Sequence, residues 1–327
     1  MNMSLTKLIT WTFTDIDLIR KNASMPNPLK QLRRKLFGLD EQEAALHRAI
    51  SDTNDLIAQL QRSFDHLHRD YSRALVEIVA QNQPKNLLSC VINDCPLKVP
   101  VEILRSYAHC LETSQEISFS YRIETHCVEW LAQFLQPGDT FLDVGAAYGV
   151  ISLPLAQIVG DRGKIYAFEP AKKTRHLLEY LLHSNHLKNI TVVPKAISDQ
   201  PGEAEFVEYS TDNQFAWAAD TSALASEIPP SQENYQTYAV EVTTLDEFVK
   251  SYNLSPQAIK IDIEGFEQYA LEGAKHCLQS YHPALCIDIH QDVKTKESAL
   301  LTVEPFLKAL GYQCEYREHT LFAKFTA

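Results

Sequence analysis

The sequence predicts an α/β fold: a doubly wound, mostly parallel sheet preceded by an α-helical region. Three observations predict it. An apolar strand, Thr140–Val144, runs into a turn bounded by Gly145 and Gly149; a helical run and a second apolar strand, Lys164–Phe168, follow, ending at Glu169. That order is one βαβ unit. Short apolar runs then alternate with helical patterns to the end of the chain, the signature of a wound sheet. Ahead of all this, residues 40–83 contain neither proline nor glycine and carry a heptad spacing of apolar side chains.

Taken in order, residues 1–38 are mixed, with Pro26, Pro28 and a basic cluster at Arg33, Arg34 and Lys35 that reads as a solvated face. In the long helix, Leu46, Ile50, Thr53, Ile57, Leu60, Phe64, Leu67, Tyr71, Ala74 and Ile78 alternate at spacings of four and three. Such a seam must bury itself against another helix, in a homodimer or as a cap on its own catalytic domain. Pro84 is the expected stop. Residues 84–120 read as a connector with a short helix from Val101, and a domain boundary is expected at 115–116. Tyr121–Leu135 reads as a helix, and Pro137-Gly138-Asp139 turns into the first core strand. The core then predicts helices at Ile151–Val159 and Ala171–Leu187, and a strand at Ile190–Ile197. A hairpin from Glu203–Tyr209 and Tyr238–Thr244 follows, then a helix at Leu245–Tyr252 and a strand at Ala258–Ile263. Last come a helix at Phe266–Leu278, a strand at Ala284–Ile289, a helix at Glu297–Leu310 and a closing antiparallel pair, Gln313–Tyr316 with Leu321–Phe325. Residues 210–236, with Phe215, Trp217, Tyr235 and Pro229-Pro230, read as a lid.

The net charge of −12 opposes a nucleic-acid partner. Seven cysteines, an odd number without a C-x-x-C pair, read as reduced thiols in a cytoplasmic protein. No signal peptide is evident, and no apolar run is long enough to span a membrane.

A dinucleotide needs G-x-G-x-x-G, so that its pyrophosphate lies on bare backbone. Here the glycines are four apart, and Asp143 precedes them with a carboxylate that would repel a pyrophosphate. A cation suits it better, which favours S-adenosylmethionine over NAD. Glu169 stands where such folds place the acid that grips a ribose.

The runs FLDVGAAYGVISLPLA, KIYAFEP, AISD, TTLDEF and IKIDIEGFE resemble the FkbM-type S-adenosylmethionine-dependent methyltransferases, over roughly residues 120–325. The resemblance implies a Rossmann-like class I methyltransferase sheet in 116–327. It also implies a hydroxyl acceptor on a sugar, glycan or secondary metabolite. Ala147 departs from the asparagine common in the family, and Tyr121 and Glu124 fall in a segment that often covers the cofactor there. The expected cofactor residues are Asp143, Gly145, Ala146, Tyr148 and Glu169, with Ile197, Ser198 and Asp199 at the adenine. The expected catalytic residues are Asp262, Glu264 and His290, because two close carboxylates raise one pKa and an imidazole titrates near neutrality. Asp262, Asp288 and His290 could instead hold a divalent ion, which is not expected. The alternative in another class is an idle scaffold that recruits partners through the long helix.

Overall fold

The structure is a computed structural model that describes residues 39–80, 87–107, 110–112, 119–209, 223–224 and 235–326. It divides into two compact units, residues 1–68 and 69–327. The basic cluster at 33–35 and most of the expected lid lie outside the described residues.

Helix α1, Leu39–Ala80, confirms the long helix, whose expected end at 83 lies outside the described residues. In the first unit its seam residues Ile50, Ile57, Leu60, Phe64 and Leu67 are all exposed. In the second unit Tyr71 and Ile78 are exposed too, while Ser72 and Val76 on another face are fully buried. Within the second unit, the seam is therefore not the face that α1 packs into the core.

The stretch read as a connector is a small sheet. Strands β1 (Leu87–Ile92) and β2 (Cys95–Pro100) form a hairpin. Its turn residues, Asn93 and Asp94, both have positive φ, the conformation of the tightest hairpin turns. After α2 (Val101–Ser106), β3 (Leu111–Glu112) and β4 (Ser120–Tyr121) complete it, β4 lying parallel to β1. The sheet therefore spans the boundary expected at 115–116. The helix expected from Tyr121 begins later, as α3 (Thr125–Leu131), because Glu124 takes a left-handed φ of 47°.

The main sheet matches the sequence reading closely. Its strands are β5 (Thr140–Val144), β6 (Lys164–Phe168), β7 (Ile190–Val193), β12 (Ala258–Ile261), β13 (Ala284–Asp288), β14 (Tyr312–Arg317) and β15 (Thr320–Phe325). Their spatial order is β14-β15-β13-β12-β5-β6-β7, with only β15 antiparallel to its neighbours. β5, β12 and β13 are apolar almost throughout because both faces are covered. One face receives α4 (Ser152–Val159) and α5 (Lys172–Ser184). The other receives α6 (Leu245–Ser251), α7 (Glu267–Glu272), α8 (Lys275–Tyr281) and α9 (Leu300–Ala309). Thr244 caps α6 by accepting from the Glu247 N–H, a threonine–glutamate spacing legible in the sequence.

Two expected elements are each split. Pro194, which has no N–H for a ladder, ends β7, and β8 (Lys195–Ile197) leaves the main sheet. β8 pairs instead with β11 (Tyr235–Thr243), which pairs in turn with β9 (Gly202–Tyr209), while β10 (Ala223–Leu224) adds to β9. The helix expected over 266–278 breaks into α7 and α8 at Gly273. A Cβ there would lie 2.2 Å from the Ser198 carbonyl oxygen.

Candidate active site

The chain visits β5, β6 and β7 to one side of the sheet, then crosses to β12 and β13 on the other. The crevice at the carboxyl ends of β5 and β12 is thus the topological switch point, where wound sheets bind ligands. A cavity of about 430 Å³ opens there. Asp143, Gly145, Ala146, Ala147, Glu169, Ile197, Asp262, Glu264 and His290 all line it, with Lys260, Asp288, His319 and Glu124.

The turn after β5 is built to come close to the turn after β12. A Cβ on Gly145 would lie 1.8 Å from the Asp262 carbonyl oxygen, and its φ of +81° also favours glycine. Ala147 shares the left-handed region at φ 46°. Its N–H donates to Glu169 Oε2 at 2.9 Å, and the Ala171 N–H donates to Oε1 at 2.8 Å. Glu169 thus ties the turn after β5 to the start of α5. Burial pushes its carboxyl up to about 8 against those two hydrogen bonds.

Asp143 is 1 % exposed. Ser152 donates to its Oδ2 at 2.6 Å, while Oδ1 has no hydrogen-bond partner among the described residues. Burial raises its pKa to about 6, with Lys260 pulling the other way. An orphaned, buried acceptor on the cavity wall is what a cationic ligand would satisfy. Asp143 and Glu169 together therefore fit a ligand with an ammonium or sulfonium charge and a ribose.

Lys260 was not singled out in the sequence, where it sits between two isoleucines. It pairs with Asp143 across β5 and β12, and its Nζ lies 2.8 Å from Asp262 Oδ2 and 3.2 Å from Glu124 Oε2. Burial lowers its pKa, but Asp262, Glu124 and Asp143 outweigh that and hold it charged. Of the pair Asp262 and Glu264, one of which was expected to be raised, Asp262 is shifted the other way. Burial pushes Asp262 up, but Lys260 and then His290 bring it below the ordinary value. Asp288 is the raised one, through burial and the neighbouring Asp262.

Asp262 and Glu264 lie beyond the end of β12, so strand alternation does not place them. Glu264 instead turns through a left-handed φ of 54°. Both still reach His290, whose Nε2 lies 3.7 Å from Asp262 Oδ1 and 3.8 Å from Glu264 Oε2. Its Nδ1 lies 2.8 Å from Oε1 of Glu267, a fully buried residue. Burial lowers the imidazole's pKa, but Glu267, Asp262 and Glu264 together raise it to about 9. Asp262, Asp288 and His290 carry ligand-type atoms within 4.8 Å of one another. The Lys260 ammonium already supplies a cation to Asp262, and no metal is assigned to the cluster.

Three expected cofactor residues do not line the cavity. Tyr148 is buried elsewhere, its ring edge-on to Tyr107 at 6.0 Å. Ser198 donates to Asp199 at 3.0 Å in a turn whose backbone packs on Gly273, and Asp199 is exposed. Lys195 and Ala196, just before them on β8, line the cavity instead. Tyr121 is fully buried and does not line it, whereas Glu124 does.

The methyltransferase FkbM domain model matches residues 143–314, just over half of the chain. Among curated proteins, the chain is 31% identical over 83 residues to ribosomal protein L11 methyltransferase of Nitrosomonas europaea, covering 24% of this chain and 26% of that protein. It is 24% identical over 200 residues to hexuronic acid methyltransferase AglP of Haloferax volcanii, covering 59% of this chain and 75% of that one. The chain thus spans about a quarter of the first relative and three quarters of the second. Among solved structures, it resembles methyltransferase FkbM from Methylobacillus flagellatus, with a TM-score of 0.41 and 18% identity over 61% of this chain and 50% of that one. On the match of the domain model across the glycine turn, β12 and β13, the chain belongs to the FkbM methyltransferase family.

Proposed function

We propose that the chain is an S-adenosylmethionine-dependent methyltransferase acting on a hydroxyl of a sugar or glycan. The observation that carries this reading is the meeting of two sets of groups in one cavity: Asp143 and Glu169, and His290 with Asp262 and Glu264. Family membership supports methyl transfer, and the name of the Haloferax relative supports a sugar acceptor. The net charge of −12 opposes a nucleic-acid acceptor.

When bound, the cofactor would supply an electrophilic methyl carbon. Asp143 would hold its positive charge and Glu169 its ribose, while the backbone from Gly145 to Ala147 lines its bed. An acceptor hydroxyl must be oriented and lose its proton. His290 would accept that proton once it is itself neutral. The apolar wall of Ile151, Phe168, Ile263 and Phe266 would exclude water.

The test is calorimetric titration of the whole chain with S-adenosylhomocysteine, beside NAD, followed by a turnover screen on neutral sugars and hexuronates. One-to-one binding of S-adenosylhomocysteine is the expected result. Preference for NAD would overturn it. A second reading, a scaffold without turnover, draws on the exposed seam of α1; production of S-adenosylhomocysteine from S-adenosylmethionine separates the two.

A further inference from the structure

Glu267 is the least exposed acid of the second unit's candidate site, at 0 %. It opens α7, where it reads from sequence as an ordinary acid in a helix's first turn. Its Oε1 does two things at once: it accepts the Gly265 N–H at 3.0 Å and meets His290 Nδ1 at 2.8 Å. Its Oε2 has no hydrogen-bond partner among the described residues. A buried carboxylate can only accept, so the ring nitrogen it touches must carry the proton. The neutral imidazole is thereby held with Nδ1 protonated and Nε2 bare.

We infer that Glu267 is a positioning residue, which fixes the ring and the tautomer of His290 so that Nε2 faces the cavity as the base for the acceptor. This rests on the methyltransferase reading above. In the step, the O–H bond of the acceptor breaks as an N–H bond forms at Nε2. The electron pair left on oxygen makes the new bond to the methyl carbon, and the carbon–sulfur bond breaks with its pair on sulfur. The proton stays on His290 and leaves to solvent after the product.

The surroundings of His290 agree with that role. Asp262 and Glu264 face Nε2 from the turn after β12, and Glu267 faces Nδ1 from α7. Lys260 binds Asp262 on its other oxygen, and His319, in the turn between β14 and β15, reaches Asp288 at 3.6 Å. Three carboxylates against one nearby ammonium keep a proton on the resting ring. With both nitrogens occupied in that form, Glu267 decides which proton remains when the other departs.

The test is nitrogen-15 NMR of the histidine rings in the full chain, titrated with pH, for the native protein, Glu267→Gln and Glu267→Met. The glutamine oxygen, standing where Oε1 stands, can accept from both Gly265 and His290 without the carboxylate's charge, whereas Glu267→Met removes the acceptor altogether. The expected result is an Nδ1–H tautomer in the native protein and in Glu267→Gln, and loss of that tautomer's dominance in Glu267→Met. The midpoint should also fall by about one unit or more in both variants. Glu267→Asp should retain the native tautomer in part. An Nε2–H tautomer in the native protein, which needs no variant to observe, overturns the inference, as does an Nδ1–H tautomer that stays dominant in Glu267→Met. Calorimetry with S-adenosylhomocysteine on the native protein separates the two levels. Binding with the wrong tautomer strikes the role of Glu267 alone, and failure to bind strikes the cofactor reading.

Discussion

Lys260 and Asp262, two residues apart where β12 ends, meet at 2.8 Å between Nζ and Oδ2. The lysine is 4 % exposed and is surrounded by the carboxylates of Asp262, Glu124 and Asp143. This pairing lets so many acids share one cavity, and it helps hold the Asp262 carboxyl below its ordinary pKa.

Removing the lysine charge leaves those acids buried without a cation. Lys260→Met is expected to cost about 3–5 kcal/mol of stability, the usual penalty for breaking a buried pair on one side. The acids then resist ionising, so the deficit should grow as pH rises above the ordinary carboxylate range. Urea unfolding at pH 5 and pH 8 measures this, and an equal deficit at both would contradict it.

Glu169 predicts a slope in the stability of the ligand-free chain. Its folded pKa of about 8 lies above the ordinary 4.5, so the folded state holds a proton that the unfolded state lacks between those values. The stability from that difference is complete below 4.5 and is lost as pH rises through about 8. Asp143, raised to about 6, adds a slope of the same sign. Melting temperature should fall across this window, and Glu169→Gln should flatten it. Loss of a carboxyl oxygen as acceptor should also weaken S-adenosylhomocysteine binding by about 1–3 kcal/mol. An unchanged affinity would mean the ribose lies elsewhere.

The turn after β5 offers two opposite outcomes from neighbouring positions. Ala147 holds a left-handed φ of 46°, which asparagine adopts more readily. Ala147→Asn should therefore stabilise by about 0.5–1 kcal/mol, raising the melting temperature by roughly 1–4 °C. Gly145→Ala should be severe, since its Cβ would sit 1.8 Å from the Asp262 carbonyl oxygen. Loss of about 3 kcal/mol or more, or no folded protein, is expected.

The seam on α1 predicts self-association. Ile57, Leu60, Phe64 and Leu67 are exposed on a helix with heptad spacing. A second copy would bury them as a coiled-coil pair. Sedimentation should give twice the chain mass, and Leu60→Glu with Leu67→Glu should return it to one. A native chain that stays monomeric at high concentration would refute this.

The parallel sheet was legible because strands covered on both faces must be apolar along their length, and glycine, proline and acids punctuate them. The cavity's acids were legible because the wound fold gathers strand ends at one edge. Lys260 was not, since one lysine between Ile259 and Ile261 reads as a strand's solvent edge; yet a charge inside an apolar run needs partners, and that signal was present. Glu267 was hidden because its partner, His290, is distant in sequence. Tyr148, Ser198 and Asp199 were placed by strand order alone, which fixes where a turn lies and leaves open which way its side chains point. The β1–β2 hairpin was missed because Pro96 and Pro100 suggested a connector, although the Asn93-Asp94 turn marks it.

The break at Pro194 bears on the cavity wall. It sends β8 into a sheet with β9 and β11, whose paired residues Tyr209 and Tyr235 close the ladder on either side of residues 210–234. That ladder acts as a socket. Among the described residues β8 pairs with β11 alone, so the cavity wall it carries takes its register from that strand and not from the segment between the two tyrosines.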